Sequence, residues 1–249
     1  LVKRKRILLL VGFLSLFLAL GGLWRYLKQL DYFNLRRVEI STEGQVSKEE
    51  VVALSGVRLG QNIFTIDLEE VRKRLESHPW VARAFVSRKL PHAVFIKIEE
   101  ERPIAMVARG RQVFLVNEAG ELFALATPEW MKELPALMGL SEEELKSGRL
   151  SPERKGILTL LVRLKREEAL VPCYANLSQI KLLDDGFLLL TRDAIQIRFK
   201  GESFKEFWAA YRRLDAILAY LYRTKQYTRV KAVRLDYPEG QAALVFRKG

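Results

Sequence analysis

His78-Pro79-Trp80-Val81-Ala82-Arg83-Ala84-Phe85-Val86-Ser87-Arg88-Lys89-Leu90-Pro91-His92-Ala93-Val94-Phe95-Ile96-Lys97-Ile98-Glu99-Glu100-Glu101-Arg102-Pro103 carries the pattern of a β-hairpin. Pro79 closes a helix exit, because proline cannot continue a helix interior. Val, Phe and Ile then suit a half-buried pleated surface over about Val81–Ser87 and Ala93–Glu99. Pro91 marks the turn between them, since it cannot donate to a central ladder.

Working upstream, Leu35–Ile40 is rich in β-branched residues and predicts a strand that ends at Thr42-Glu43-Gly44. Ser47-Lys48-Glu49-Glu50 has capping-box spacing and predicts a short helix to about Ser55. Asp67-Leu68-Glu69-Glu70 opens a second helix, with Leu68, Val71 and Leu75 on one face. The order is therefore β-α-α-β-β over residues 35–103. Val94, Ile96 and Ile98 share one face of the last strand and are expected to pack on the two helices. Phe95 points the other way, and with Val81, Arg83 and Phe85 it would leave an apolar and basic outer patch. Arg83, Phe85 and Phe95 are candidate contact residues there, although isolated exposed aromatics also occur on surfaces that bind nothing.

Ile7–Trp24 contains no charge and one clearly polar residue, Ser15. Eighteen helical residues extend roughly 27 Å, close to the roughly 30 Å of a bilayer core. A transmembrane helix over residues 7–24 is expected, with Ile7, Leu14, Leu20 and Trp24 marking the span. Lys3 to Arg6 precede it, so residues 1–6 are expected to form a cytoplasmic basic tail and the body to be exported. Ala19-Leu20-Gly21 also fits a signal-peptidase site, and that alternative exports the body as well. Residues 25–34 would link the span to the first strand.

The chain has 249 residues, enough for one to two domains of roughly 100 to 200 residues. Its net charge of +12 is uneven. Residues 1–30 carry six bases and no acid, residues 31–103 balance 12 bases against 12 acids, and the remainder holds 24 against 18. Half the excess thus flanks the apolar run, and no nucleic-acid motif accompanies the rest, so nucleic acid is not an expected partner. One cysteine, Cys173, excludes an intramolecular disulfide, and two histidines beside prolines make no zinc pattern. No cofactor is implied. Glu99-Glu100-Glu101 alternates faces along a strand and does not pair carboxylates for acid–base work. No phosphate loop or nucleophile elbow is present, so no catalytic residues are assigned.

Beyond Pro103, Gln112–Val116 and Glu121–Ala124 flank Asn117-Glu118-Ala119-Gly120 as a hairpin. Ser151-Pro152 is expected to cap a helix to about Glu168, with proline in its first turn. Strands are expected over about Gln179–Leu183, Phe187–Leu190 and Ala194–Phe199. A helix follows over about Glu202–Tyr222, whose stripe of Phe204, Phe207, Trp208 and Tyr211 reads as core. Val230–Leu235 and Gln241–Phe246 close the chain as strands around Tyr237-Pro238-Glu239-Gly240. The fold class is α+β, with a mixed β-rich domain over 104–249.

Phe33-x-x-x-x-Val38-x-Ile40, Gly60-x-Asn62-Ile63-Phe64-x-Ile66-Asp67, Pro79-Trp80-Val81-x-x-Ala84-x-Val86-x-Arg88-x-Leu90-Pro91 and Glu101-Arg102-Pro103-Ile104-Ala105, behind one apolar span, resemble the POTRA domain of the bacterial FtsQ/DivIB cell-division family. Leu134-Pro135-Ala136-Leu137-x-Gly139 and the Asn117–Phe123 turn extend that resemblance. It implies a non-enzymatic, single-pass scaffold of the divisome in the cytoplasmic (inner) membrane, at the septum. It further implies FtsB/DivIC-like and FtsL-like partners bound at the end of the second domain, and other membrane division proteins bound through the POTRA. The lipid bilayer would be engaged by the N-terminal helix.

The family's terminal pattern, close to Asp-Leu-Arg-aromatic, stands here as Val233-Arg234-Leu235-Asp236-Tyr237, with the charge order altered. The residues expected to offer the partner-binding edge are Val233, Leu235, Tyr237, Gly240, Ala242, Leu244 and Phe246. Strand addition is the physical means, because a terminal strand leaves N–H and C=O groups unpaired. Two other classes remain: a POTRA-containing adaptor in protein export or envelope assembly, and a membrane-anchored cell-wall enzyme. The first fits poorly, since no alternating barrel pattern follows. A wall-hydrolysis assay on the exported part discriminates the second.

Overall fold

A computed structural model describes residues 2–27, 30–167, 169–237 and 241–247, without the side chains of 2–11, Leu23 and Trp24. The chain divides into two units, 1–101 and 102–249.

In the first unit α1 (Val2–Leu27) runs through the apolar segment. Its described side chains over 12–22 are exposed on every face, Leu14 and Leu20 among them. Ile7 and Trp24 carry side chains outside the described residues. Among the described residues no helix is long and apolar enough to cross a membrane. The strand β1 (Arg37–Ser41) leads to α2 (Lys48–Ser55) and α3 (Leu68–Glu76), then β2 (Val81–Lys89) and β3 (Ala93–Glu100). The three strands pair in the order β1-β3-β2, with β1 parallel and β2 antiparallel to the centre. This is the expected β-α-α-β-β order.

Ser47 Oγ accepts the Glu50 N–H to start α2, while the Glu50 carboxylate lies 3.3 Å from His78 Nε2. Asp67 Oδ1 accepts the Glu69 and Glu70 N–H groups to start α3. Val94, Ile96 and Ile98 are buried with Val51, Val71 and Leu75 in one core. Two polar side chains hold the connection between the helices. Asn62 Nδ2 donates to the carbonyls of Leu27 and Leu30, at 3.1 and 3.2 Å. Arg88 donates to those of Ile63 and Ile66, at 2.9 and 2.6 Å. These bonds explain why asparagine and arginine stand in an otherwise apolar motif: buried carbonyls need donors.

In the second unit the strands are β4 (Pro103–Arg109), β5 (Gln112–Asn117), β6 (Leu122–Leu125), β7 (Ala136–Met138), β8 (Leu177–Leu183), β9 (Gly186–Thr191), β10 (Gln196–Lys200), β11 (Val230–Arg234) and β12 (Ala243–Phe246). They form one sheet in the order β12-β11-β10-β9-β8-β7-β4-β5-β6. Short helices α4 (Pro128–Glu133) and α5 (Glu142–Ser147) flank β7. The longer α6 (Lys155–Arg166) and α7 (Phe204–Arg223) pack on each other and bury Leu160, Leu161, Leu164, Phe207, Tyr211, Leu214 and Leu218.

Several expectations are revised. Pro103 opens β4 rather than closing the first domain, as a first strand residue needs no donor. The strand has no periodic mark in the sequence, because Ile104 to Val107 is an apolar run with no alternation, as a central buried strand requires. Ser151 makes no side-chain cap; a 3-10 turn over Pro152–Arg154 precedes α6, which ends at Arg166. Ala194 takes a positive φ of 62° in the turn before β10, so that strand begins at Gln196. The aromatic stripe splits: Phe207 and Tyr211 are core, whereas Phe204 and Trp208 stack half-buried, with Arg163 5.2 Å from the Trp208 ring.

Gly139 has φ +83°, and a Cβ there would lie 2.6 Å from the Leu182 carbonyl oxygen. Both conformation and space forbid a side chain. Gly139→Ala is expected to destabilise the second unit by about 2 to 4 kcal/mol in urea denaturation. Glu144 is buried with its carboxylate accepting the Ser141 and Ser151 N–H groups at 2.8 and 2.9 Å. Burial pushes its carboxyl up, but these N–H donors and nearby Arg154 prevail and hold it below the usual range. A depressed folded pKa stabilises above the unfolded value and loses that contribution as pH falls through the folded one. Glu144→Gln should therefore flatten the acid limb of the stability profile below about pH 4.5.

Candidate functional site

The nine-stranded sheet has two terminal strands, and they are not equivalent. The residues around β6 are joined to a neighbouring segment: Leu122 N–H donates to the Gly148 carbonyl at 2.8 Å, and Glu121 bridges Arg149. At the other end β12 has β11 as its strand neighbour among the described residues. The antiparallel register is Val233 with Leu244, Ala232 with Val245 and Arg234 with Ala243. An incoming chain pairing with the far side of β12 would continue the ladder.

The expected site residues distribute by burial. Val233 and Leu235 lie in the core, where they seat β11 and present no surface. Leu244 is half-buried, while Tyr237, Val245 and Phe246 are exposed. Ala242 is exposed just before β12, and Gly240 lies outside the described residues. Arg234 donates to both Asp236 oxygens, at 3.2 and 2.7 Å, and its guanidinium carbon lies 5.4 Å from the Tyr237 ring centre. The bond from Arg234 holds the Asp236 carboxyl below its usual range and raises the guanidinium pKa in return. The reordered pair therefore still braces the aromatic, with cation–π contact from one side.

On the first unit's sheet, Arg83 and Phe85 are exposed and Phe95 is half-buried. Lys97 Nζ stands 5.7 Å from the Phe85 ring and Lys89 Nζ 4.8 Å from that of Phe95. Val81 does not share this face: a bulge between Val81 and Arg83 turns it into the core. No local pattern marks the two lysines as partners, because ring and cation meet across strands.

Among the clefts of the second unit are two of about 650 and 810 Å³. In the larger, Lys165 Nζ donates to the Pro103 carbonyl at 2.8 Å beside Cys173 and Tyr174. Burial lowers the Lys165 pKa, yet no base or nucleophile pair is assembled around it by the bonds described. No group of three or more His, Cys, Asp or Glu side chains that could hold a metal occurs among the described residues.

Residues 33–101 match the family model described as POTRA domain, FtsQ-type, and residues 105–236 match that of Cell division protein FtsQ/DivIB, C-terminal. The second match ends just before Tyr237 and β12. Among similar relatives, a cell division protein FtsQ of Geotalea daltonii is 29% identical over 161 residues, 62% of this chain and 58% of the relative. One of Anaeromyxobacter is 33% identical over 151 residues, 58% and 51%. One of Myxococcus fulvus is 26% identical over 177 residues, 69% and 60%. The chain thus matches between half and three-fifths of the length of these relatives.

Proposed function

Since the chain belongs to the FtsQ/DivIB family of cell division proteins, we propose that it is a non-catalytic scaffold of the divisome, held in the cytoplasmic membrane by α1 and binding its partners through β-strand addition at β12. The terminal position of β12, with the exposed Tyr237 held by Arg234 of the adjoining β11, is the observation that carries this reading. The partners that fit are FtsB/DivIC-like and FtsL-like proteins, while the sheet face bearing Arg83, Phe85 and Phe95 suits other membrane division proteins. Coupling to septal wall synthesis would follow from gathering them at one place.

The membrane role rests on the apolar run and on a helix whose described part is apolar and exposed on all sides, which in water would be costly. With Lys3 to Arg6 ahead of it, the N-terminus lies in the cytoplasm and both folded units outside. Depleting the protein in its own bacterium, with a fluorescent fusion as reporter, is expected to give filaments and, before depletion, a band at mid-cell. Normal division after depletion would overturn the proposal.

A further inference from the structure

The topology of the first unit gathers three distant stretches at one pole. β1 begins there, β2 ends there at Lys89, and β3 starts beside it, since Arg37 and Lys89 both pair with Ala93. Backbone bonds fasten the rest: Leu35 N–H to Gln61, Gly60 N–H to Leu35 and Arg36 N–H to His92, at 2.8, 2.8 and 2.9 Å. Asn62 joins the same pole to the end of α1 through Leu27 and Leu30.

Beyond α1, the most exposed large apolar side chains of this unit all sit at this pole: Tyr32 at 62%, Leu59 at 67% and Leu90 at 62%. The next, Phe85 and Val52, are exposed to 43 and 41%. Arg36 and Arg58 are exposed at the same pole, whereas the Lys89 ammonium is taken up by Glu39 and the Phe95 ring on the sheet face. Leucine and tyrosine tips with arginines among them fit a bilayer interface, where apolar groups enter the acyl boundary and cations meet acidic headgroups.

We propose that this pole is a lipid-docking surface, with Tyr32, Leu59 and Leu90 seated in the headgroup layer of an anionic bilayer and Arg36 and Arg58 against its phosphates. The inference depends on α1 spanning the membrane, which places this pole next to the bilayer. A protein partner would also cover apolar side chains. The lipid is favoured because the patch adjoins the emerging helix and carries an excess of positive charge.

The test uses the full chain with Cys173→Ser, single cysteines in turn at Leu14, Gln45, Leu59 and Leu90, and an environment-sensitive dye on each. The proteins are reconstituted in vesicles of phosphatidylcholine with phosphatidylglycerol, carrying spin labels in headgroups or acyl chains. Dyes at 59 and 90 should be quenched by headgroup labels at least about threefold more than at 45, which lies in the loop beyond β1 at the other pole. The Arg36→Glu, Arg58→Glu pair, or pure phosphatidylcholine, should lower that quenching by about threefold or more and leave the acyl-chain quenching at 14 unchanged. Quenching at 14 with 59 and 90 no different from 45 overturns the docking and leaves the span standing. No quenching at 14 overturns both. Protection of 59 and 90 that appears only on adding another division protein assigns the pole to that protein and overturns the proposal, as does quenching indifferent to lipid charge.

Discussion

Tyr237→Glu is expected to weaken binding of the exported segment of an FtsB/DivIC-like partner by about 100-fold while the second unit stays folded. Tyr237 is an exposed aromatic, braced by Arg234 beside the strand that would receive the partner. Aromatic anchors that a partner covers on binding carry about 2 to 4 kcal/mol each, and every 1.4 kcal/mol is about tenfold in affinity. Leu244→Asp should act at least as strongly, because a charge on β12 lies opposite Val233 and meets any added strand. Since Leu244 is half-buried, its variant is expected to lose some stability as well, and Tyr237→Glu serves to separate binding from folding. Calorimetric titration beside urea denaturation reads both. Unchanged affinity in the folded Tyr237→Glu, Leu244→Asp double variant would remove β12 as the binding edge.

Glu100→Ala is expected to cost the first unit about 3 to 5 kcal/mol. The Glu100 side chain is buried, and its Oε1 accepts the N–H groups of Glu43, Gly44 and Val46 at 3.2, 3.0 and 3.1 Å. Oε2 accepts that of Gln45 at 2.8 Å. Four consecutive donors thus converge on one carboxylate and pin the loop between β1 and α2 to the end of β3. Alanine would leave them without that acceptor, and the N–H of Val46, the buried residue among the four, would lose its partner away from water, where such groups are rarely left unpaired. For a domain of this size the melting midpoint should fall by about 12 °C or more. Glu100→Gln retains one acceptor oxygen and should lose roughly half as much. Hydrogen exchange over residues 43–46 locates the effect. Unaltered protection there in Glu100→Ala would show that the loop holds without the carboxylate.

The sequence alone gave no hint of this role. Glu99-Glu100-Glu101 reads as a solvated strand end, and alternation says only that Glu100 shares a side with Ile96 and Ile98. That the side is buried, and that the loop 54 to 57 residues upstream turns its N–H groups toward it, is settled by long-range packing. The β4 strand is not legible locally for a related reason, since its apolar run is the mark of a central strand but carries no period of its own. Val81 faces the core against strict alternation, because a bulge adds one residue to the count and leaves no local mark.

Local grammar and lineage are written in the order of residues. Prolines 79 and 91, the Ser47 and Asp67 helix starts, and the alternation of Val94, Ile96 and Ile98 dictate β-α-α-β-β, because backbone sterics and side-chain period act over a few residues. The motifs running from Phe33 to Gly139 point to the same family as the matches over 33–101 and 105–236. Only the tertiary structure decided which strand is terminal, that Val233 and Leu235 face inward while Tyr237 faces out, and that Tyr32, Leu59 and Leu90 meet at one pole. Edges, burial and patches are properties of strand order, and strand order joins residues far apart in the chain through non-local hydrogen bonds and packing that no local pattern encodes.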